Sequence, residues 1–310
     1  MTTNLATYKS TRVRGLAKWR PQRKTLALLR DIGEVLDEYN EHLPLTARQL
    51  FYRLVGTRNY AKTENAYSRL TETLNRARRA GMVAWEAIRD DGAIVVPGGG
   101  YYGMAGFWGA VVNTAKTYRT KRLSGQTNVL ELWCEAGGMV PQLARVARPY
   151  GVTVHSSGGF DSTTVKHEAA RRYAQSDRQT VILHVGDHDA SGLSVFDSAA
   201  EDVAAMVSDL GVPGCVTFIR VAVTPEQILR YALPGAPAKK TDRRGNWEGD
   251  TVQAEALDPG TLAAEVRSAI EAHLDIEIWR ELIAEEEVER WELVERVEEL
   301  MEGMADVGGE

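Results

Sequence analysis

The sequence predicts an α/β fold: a helical first domain, a second domain built on a mostly parallel sheet, and an acidic helical C-terminal tail. The 310 residues suffice for about two domains of roughly 150 residues each. Apolar residues recur at helical spacing in the first part, whereas strands and helices alternate after residue 125. The predicted domains are residues 1–125 and 126–259, and the tail, residues 260–310, is expected to serve packing or dimerisation.

Charge is distributed unevenly along the chain. Residues 1–125 contain 21 Lys and Arg against 10 Asp and Glu, a net charge of +11, and the remainder contains 16 against 33, a net charge of −17. A basic first part on an acidic whole indicates a module that faces nucleic acid. Attraction between the two parts, or to a partner protein, would produce the same asymmetry, so charge alone leaves both interpretations open.

Composition excludes several classes of protein. No apolar run approaches the roughly 18 residues of a membrane span, so no membrane partner is expected. Basic residues near the N-terminus are not followed by the apolar core of a secretory signal. Cys134 and Cys215 lack CxxC spacing, which argues against a disulfide framework or a cysteine zinc site. We therefore expect a cytoplasmic location, associated with the nucleoid if the partner is DNA.

The first domain is expected to contain three helices followed by a ribbon. A first helix spans residues 22–40, a second starts after Pro44 and Thr46 and ends at Gly56, and a third covers roughly 64–80. The apolar stripes of the first two helices consist of Leu26, Leu29, Ile32 and Leu36, and of Ala47, Leu50, Phe51, Leu54 and Val55. A turn at 90–92 between short strands would complete a winged helix.

Basic side chains cluster on two helices of this domain. The third helix carries Arg69, Arg76, Arg78 and Arg79, and a further helix around 105–122 carries Lys116, Arg119, Lys121 and Arg122. We expect these side chains to hold DNA mainly through its phosphates. A basic loop at 234–250 is predicted too, either as a solvated excursion or as another DNA contact.

Two acidic residues follow a strongly apolar strand predicted at 180–185. Asp187 and Asp189 alternate with His188, so their side chains point the same way at the carboxyl end of the strand. Open α/β sheets place their sites at that end. Two adjacent carboxylates repel each other unless a cation lies between them, and oxygen ligands suit Mg²⁺. The competing interpretation is that these acids cap the following helix.

Glu135 ends the earlier strand predicted at 128–134 and precedes a glycine turn. The order strand, Glu135, glycine turn, helix, strand, helix, strand and Asp-x-Asp resembles the Toprim domain of topoisomerases, primases and related nucleases. The resemblance implies that Glu135, Asp187 and Asp189 hold Mg²⁺ and that Glu135 takes part in proton transfer. A small-residue loop at 156–159 would lie near this site, or would be a plain turn.

Tyr52 is the candidate nucleophile. At about 100° per residue, Tyr52 lies roughly 130° from the centre of the apolar stripe of its helix, and Arg48 is its i−4 neighbour. A guanidinium beside a phenol favours the phenolate and stabilises charge that develops on an attacked phosphate. The ordinary alternative is a tyrosine whose ring packs and whose hydroxyl binds water.

An Arg-x-x-Phe-Tyr segment in a winged helix ahead of a Toprim domain resembles the A subunit of topoisomerase VI and the related meiotic double-strand-break transesterase. The likeness spans about residues 40–225 and is greatest to small phage and bacterial versions that stand without an ATPase subunit. It implies a winged helix of the 5Y-CAP type and a homodimer that shares its sites. It also implies that Tyr52 cuts double-stranded DNA and becomes linked to a 5′ end, with Arg48 assisting.

No GxxxxGK[ST] motif is present in the sequence, so strand passage driven by ATP would need a separate ATPase subunit. Two other functions stay open. One is a hydrolytic Toprim nuclease in which water attacks and Tyr52 is structural. The other is a non-catalytic winged-helix protein with a DNA-binding or regulatory role.

Overall fold

The structure is a computed structural model, and it describes residues 18–89, 99–156, 163–237, 247 and 249–307. The chain forms two compact units, Met1–Asp90 and Asp91–Glu310. The predicted boundary at residue 125 therefore lies inside the second unit, which also contains the C-terminal tail. The predicted turn at 90–92, most of the small-residue loop and most of the basic loop lie outside the described residues.

The first unit contains the three predicted helices and two very short strands. In chain order these elements are α1 (Arg23–Glu38), β1 (Leu45–Thr46), α2 (Ala47–Arg58), α3 (Glu64–Arg79) and β2 (Ile88–Arg89). β1 and β2 pair in parallel, so the start of α2 is tied to the segment after α3. The helices are confirmed, and the described residues contain one strand of the predicted ribbon.

Helix α2 begins where the sequence predicts and ends later. Thr46 accepts a hydrogen bond from the Gln49 backbone N–H at 3.0 Å, and Gln49 Oε1 accepts one from the Thr46 N–H at 2.9 Å. This reciprocal capping satisfies two of the backbone donors at the helix start. The helix continues through Gly56 to Arg58 because Asn59, with φ of 53°, supplies the left-handed residue that closes it.

The buried face of α1 shares Ile32 and Leu36 with the predicted stripe and differs from it towards the N-terminal end of the helix. Helix α1 buries Leu28, Ile32, Val35 and Leu36. Leu26 is 51% exposed, so the predicted stripe was wrong at its N-terminal end. Periodicity locates the helix, but the side that faces the core depends on how α2 packs against it.

The second unit alternates strands and helices, as predicted. Its elements are α4 (Gly103–Lys116), β3 (Asn128–Cys134), α5 (Val140–Ala147), β4 (Thr153–Ser156), α6 (Thr163–Ala174), β5 (Gln179–Val185), α7 (Ala190–Asp209), β6 (Val216–Ala222), α8 (Pro225–Arg230), β7 (Ala236–Pro237), β8 (Asp250–Thr251), α9 (Pro259–Glu271) and α10 (Ile276–Val307). β7 and β8 form a separate antiparallel pair. The α/β class is thereby confirmed.

The main sheet has four parallel strands in the order β4-β3-β5-β6. Cys134 pairs with Val185, and Val185 pairs with Ala222, so the segments that follow β3, β5 and β6 leave the sheet side by side. One face carries a core that includes Trp133, Ile182 and Val203. Burial of such apolar surface contributes about 25 cal/mol per Å² and holds the strand ends in place.

The acidic tail is part of the second unit. Helix α10 packs against α4, and Glu286 of α10 is fully buried. Both carboxylate oxygens of Glu286 accept hydrogen bonds from Arg122, at 2.9 and 2.6 Å. In the part of the chain that the structure describes, no helix combines the length and the apolar character needed to cross a membrane.

Candidate active site

The structure brings Glu135 and the Asp-x-Asp segment together at the carboxyl edge of the sheet. Glu135 directly follows β3, and its backbone N–H donates to the Val185 carbonyl at the end of β5, at 2.9 Å. Glu135 Oε2 accepts a hydrogen bond from the Asp187 N–H at 3.1 Å. The predicted neighbourhood of these two carboxylates is therefore present, because parallel strands end at the same edge.

Asp187 is also held from the far side by a segment that the sequence analysis did not associate with the site. Asp187 Oδ1 accepts a hydrogen bond from the Ala254 N–H at 2.8 Å. His188 and Val252 exchange two backbone hydrogen bonds, of 2.7 and 3.0 Å. The Asp-x-Asp segment is thus fixed between the sheet and residues 252–254.

Asp189 has a structural role in this arrangement. It is the N-cap of α7, and its Oδ1 accepts a hydrogen bond from the Gly192 N–H at 2.7 Å. The capping interpretation of this acid is correct, and α7 starts at Ala190. One oxygen of Asp189 is consequently committed to the helix start.

Two glycines allow the site to be this compact. A Cβ on Gly186 would lie 2.6 Å from His184 Cε1 and 2.7 Å from Glu135 Oε2, and one on Gly192 would lie 2.3 Å from the Asp187 carbonyl oxygen. Real Cβ atoms do not approach so closely, so any side chain at either position would displace an acid or the backbone beside it. Close approach, rather than an unusual φ angle, requires glycine here.

Arg220 supplies a positive charge beside the acids, and the sequence analysis missed it. Its guanidinium donates to the carbonyl oxygens of Gly186 at 3.0 Å, of Val223 at 3.2 Å, and of Asp187. Nη1 is buried and has no hydrogen-bond partner in the described part of the chain. An arginine inside the otherwise apolar β6 is the signal that could have identified it.

Burial raises the pKa of Glu135 above its ordinary value, and the neighbouring Asp187 and Asp189 raise it further, whereas Arg220 lowers it. Burial and the Arg220 charge lower the pKa of His184 to about 3, so this 2% exposed side chain is neutral. Burial raises the pKa of Cys134, which keeps the nearby thiol protonated. The edge is therefore a partly desolvated acidic site with one fixed counter-charge.

A second acid missed by the sequence analysis is Glu255, which is only 8% exposed. It follows Ala254, the residue that binds Asp187, and its charge acts on Cys134 together with Asp187 and Glu135. This region therefore contains more acidic side chains than the three that the sequence predicts.

The predicted three-carboxylate metal cluster is not formed as a complete ligand shell. Among the described residues, no group of three or more His, Cys, Asp or Glu side chains is arranged to hold a metal ion. Glu135, Asp187 and Asp189 each direct one oxygen to a backbone N–H. Mg²⁺ is commonly bound through one or two carboxylates while it retains water molecules, and Glu135 and Asp187 provide a donor set of that kind.

Tyr52 and Arg48 lie on α2 in the first unit. Tyr52 is 6% exposed and packs edge-on against Phe51 with ring centroids 5.6 Å apart, which corrects the expectation that it lies away from the apolar face. The helix is covered on more than one side because α2 packs against both α1 and α3. Arg48 lies 5.7 Å from the ring of Tyr67, and Lys62 lies 5.7 Å from the ring of Tyr52.

The basic residues predicted on α3 differ in what they contact. Arg69 and Arg76 are exposed, and Arg76 pairs with Glu72 at 2.7 Å. Arg79 donates to Asn75 at 2.8 Å. Arg78 lies 4.6 Å from the Trp85 ring and donates to two backbone carbonyls, those of Trp85 and Ile88. Arg78 therefore stabilises the approach to β2.

Helix α4 ends at Lys116, earlier than predicted, so Arg119, Lys121 and Arg122 follow the helix. The basic residues of this segment also divide into two kinds. Lys116, Arg119 and Lys121 are exposed. Arg122 is 9% exposed, and it binds Glu286 and the Pro149 carbonyl. Its predicted contact with DNA is replaced by an internal ion pair, because the acidic tail folds back onto this region.

No protein-family model matches the chain, and neither a curated protein nor a solved structure matches it.

Proposed function

We propose that the chain cleaves double-stranded DNA by transesterification through Tyr52, in the manner of a winged-helix and Toprim topoisomerase VI A-like enzyme. The observation that carries the proposal is the acidic edge of the sheet, where Glu135 and Asp187 are hydrogen-bonded neighbours. The Arg-x-x-Phe-Tyr segment on α2 supports it, since it supplies a nucleophile and a cation one helical turn apart.

In the proposed reaction, the Tyr52 hydroxyl oxygen forms a bond to a backbone phosphorus, and the bond from that phosphorus to the 3′ oxygen breaks. The tyrosine proton is transferred to solvent or to a base, and the 3′ oxygen leaves as a hydroxyl after protonation. Tyr52 then carries the 5′ phosphate, and the reverse attack reseals the strand. Arg48 stabilises the negative charge that develops on the phosphate.

Glu135 and Asp187 would hold Mg²⁺, which supplies neutralisation of the phosphate charge when it is bound. Arg220 fixes the backbone at Asp187, so the carboxylate keeps one direction. Asp189 holds the start of α7 in the same place. These contacts give a rigid acidic edge at which a phosphate could be positioned.

Arg69 and Arg76 on α3 are the exposed cations proposed to hold the DNA backbone. Contacts of this kind release counterions, so affinity for DNA should fall steeply as salt rises. Lys116, Arg119 and Lys121 of the second unit extend this proposal to a second group of exposed cations. An ATPase partner is not needed for cutting itself.

The test is to trap protein with supercoiled DNA in denaturant and Mg²⁺ and to look for a covalent adduct on a 5′ end. Tyr52→Phe should abolish the adduct and leave DNA affinity within about twofold, because it removes one hydroxyl and little packing. Tyr67→Phe, on α3 beside Phe51, is the matched control and should keep the adduct. An undiminished adduct in Tyr52→Phe would assign the nucleophile elsewhere.

A hydrolytic nuclease is the second candidate, and the burial of Tyr52 favours it. In that reaction water attacks the phosphate and the acidic edge acts alone. Mg²⁺-dependent cutting that survives in Tyr52→Phe and leaves free 5′ phosphates would select this candidate. Binding of DNA with no cutting under any condition would select a non-catalytic role.

A further inference from the structure

An arginine-lined pocket of about 390 Å³ lies in the second unit, away from the acidic edge. Val152 directly precedes the edge strand β4, and Val154 lies in that strand, whereas Glu135 and Asp187 follow the carboxyl ends of β3 and β5. The residues that line the pocket are therefore separate from the acids of the candidate site. Its walls include Arg119, Arg122, Arg148, Ala144, Val152 and Val154.

Positive charge in this pocket is only partly balanced by the protein. Burial lowers the pKa of Arg119, and the charges of Arg122, Arg148 and Arg290 lower it further, whereas Glu286 raises it. Arg148 is exposed and forms no ion pair with any residue in the described ranges. An anion that entered the pocket would relieve repulsion among these arginines.

Two of the three arginines, Arg122 and Arg119, are held in position before any ligand binds. Arg122 is fixed by both oxygens of Glu286 and by the Pro149 carbonyl at 2.6 Å. Arg119 donates to the Arg148 carbonyl at 3.3 Å, which ties the segment after α4 to the segment before β4. A site arranged in advance loses less conformational entropy on binding.

The remaining wall is apolar. Ala144, Val152 and Val154 face the same space as the arginines. Ligand sites commonly combine a mostly apolar lining with a few charged groups, in volumes of about 300–1,000 Å³. Arginine is suited to phosphate because its planar group can donate two parallel hydrogen bonds to two phosphate oxygens.

We propose that this pocket binds a phosphate group that carries a nucleoside, with the phosphate on Arg119 and Arg148 and the sugar or base on the apolar wall. The same chemistry is offered by a free nucleotide and by one nucleotide of a DNA strand. The proposal does not depend on cleavage at Tyr52, since the pocket is built entirely from residues of the second unit.

Titration calorimetry of the full-length chain with a nucleoside 5′-monophosphate, and with inorganic phosphate, tests the proposal. Arg148→Gln should weaken nucleotide binding by about tenfold or more, as expected for the loss of hydrogen bonds to a charged group. Arg171→Gln is the matched control, because Arg171 is exposed on α6 outside the pocket, and it should change affinity less than about twofold. Thermal melting of both variants checks that each is folded.

Competition distinguishes the two sources. If excess single-stranded oligonucleotide displaces the monophosphate, and Arg148→Gln weakens oligonucleotide binding too, the pocket takes a nucleotide of a strand. If the oligonucleotide does not displace the monophosphate, the ligand is a free nucleotide. The proposal is overturned if no probe binds saturably, or if Arg148→Gln has no larger effect than Arg171→Gln.

Discussion

Arg220 and Glu135 show how single residues set the character of the acidic edge. Glu135 accepts a hydrogen bond from the Asp187 N–H, and Arg220 donates hydrogen bonds to the carbonyl oxygens of Gly186 and Asp187. The carboxylate is partly buried and has acidic neighbours, so its ionised form is disfavoured in the folded chain. When no metal cation is bound, the carboxylates at this edge repel one another.

This repulsion predicts how the stability of the folded chain depends on pH. The pKa of Glu135 is higher in the folded chain than the ordinary Glu value. The free energy of unfolding therefore falls as pH rises from the ordinary pKa to the raised pKa, and it is lowest at pH values above the raised pKa. Glu135→Gln, which keeps an acceptor for Asp187, should therefore melt at a higher temperature than the wild type at neutral pH without metal. The gap should close at about pH 4, where both side chains are neutral.

Thermal melting across this pH range in a chelating buffer measures the effect. Glu168→Gln removes an exposed acid of α6 and is the matched control, with little expected change at any pH. A Glu135→Gln chain that is no more stable than the wild type at neutral pH would contradict the claim that folding disfavours the ionised form of Glu135.

At the residue scale, the sequence identified the acids but not their partners. Glu135 and Asp187 could be predicted to meet because both follow apolar strands of one parallel sheet. Arg220 and Ala254 could not be placed, since their contacts depend on β6 lying beside β5 and on a segment about 65 residues further along the chain returning to the Asp-x-Asp segment. Local patterns contain no information on that return.

At the scale of elements, the contact between α10 and the end of α4 is the clearest addition to the predicted architecture. The alternation of strands and helices was predictable, because apolar runs and turn residues mark each of them. Whether the acidic tail would pack within its own chain was left open. Glu286 is the one fully buried acid among the tail residues whose burial the structure describes, and it pairs with Arg122. This ion pair joins the tail to the segment that follows α4.

The pairing predicts a large cost for removing one partner. Arg122→Met should destabilise the protein by about 3 kcal/mol, towards the lower end of the range for a broken buried pair, because Arg290 still contacts Glu286. Equilibrium unfolding in urea measures the change. The double variant Arg122→Met, Glu286→Leu should recover part of the lost stability, since it removes both members of the buried pair, although Arg290 and the Thr120 N–H lose their acceptor.

Arg119→Met is the matched control for the single variant, because Arg119 is an exposed neighbour on the same segment. Its expected effect is below about 1 kcal/mol. Equal losses in the free energy of unfolding for Arg119→Met and Arg122→Met would show that breaking the buried pair costs no more than removing an exposed arginine.

On the scale of the whole molecule, the candidate nucleophile and the candidate metal ligands belong to different compact units. Tyr52 lies in the first unit, and Glu135 and Asp187 lie in the second. Cutting both strands of a duplex requires two nucleophiles that face antiparallel strands, and a two-fold dimer provides them most simply. The proposed enzyme is therefore a homodimer in which Tyr52 of one copy acts with the acids of the other.

Mixed dimers test this arrangement. Tyr52→Phe and Asp187→Ala chains, each inactive alone, should nick supercoiled plasmid when mixed under conditions that allow subunit exchange. One of the two shared sites in each mixed dimer then combines an intact tyrosine with intact acids, so each mixed dimer should nick one strand. No nicking by mixed dimers whose formation has been demonstrated by affinity tags would rule out sharing.

The hydrogen bonds from residues 252–254 to the Asp-x-Asp segment also bear on the timing of synthesis. All four strands of the main sheet are synthesised before these residues, because β6 ends at Ala222. A nascent chain can therefore build the sheet while Asp187 still lacks its Ala254 donor and His188 lacks its Val252 partner. The acidic edge is therefore complete only after residues 252–254 have reached the sheet.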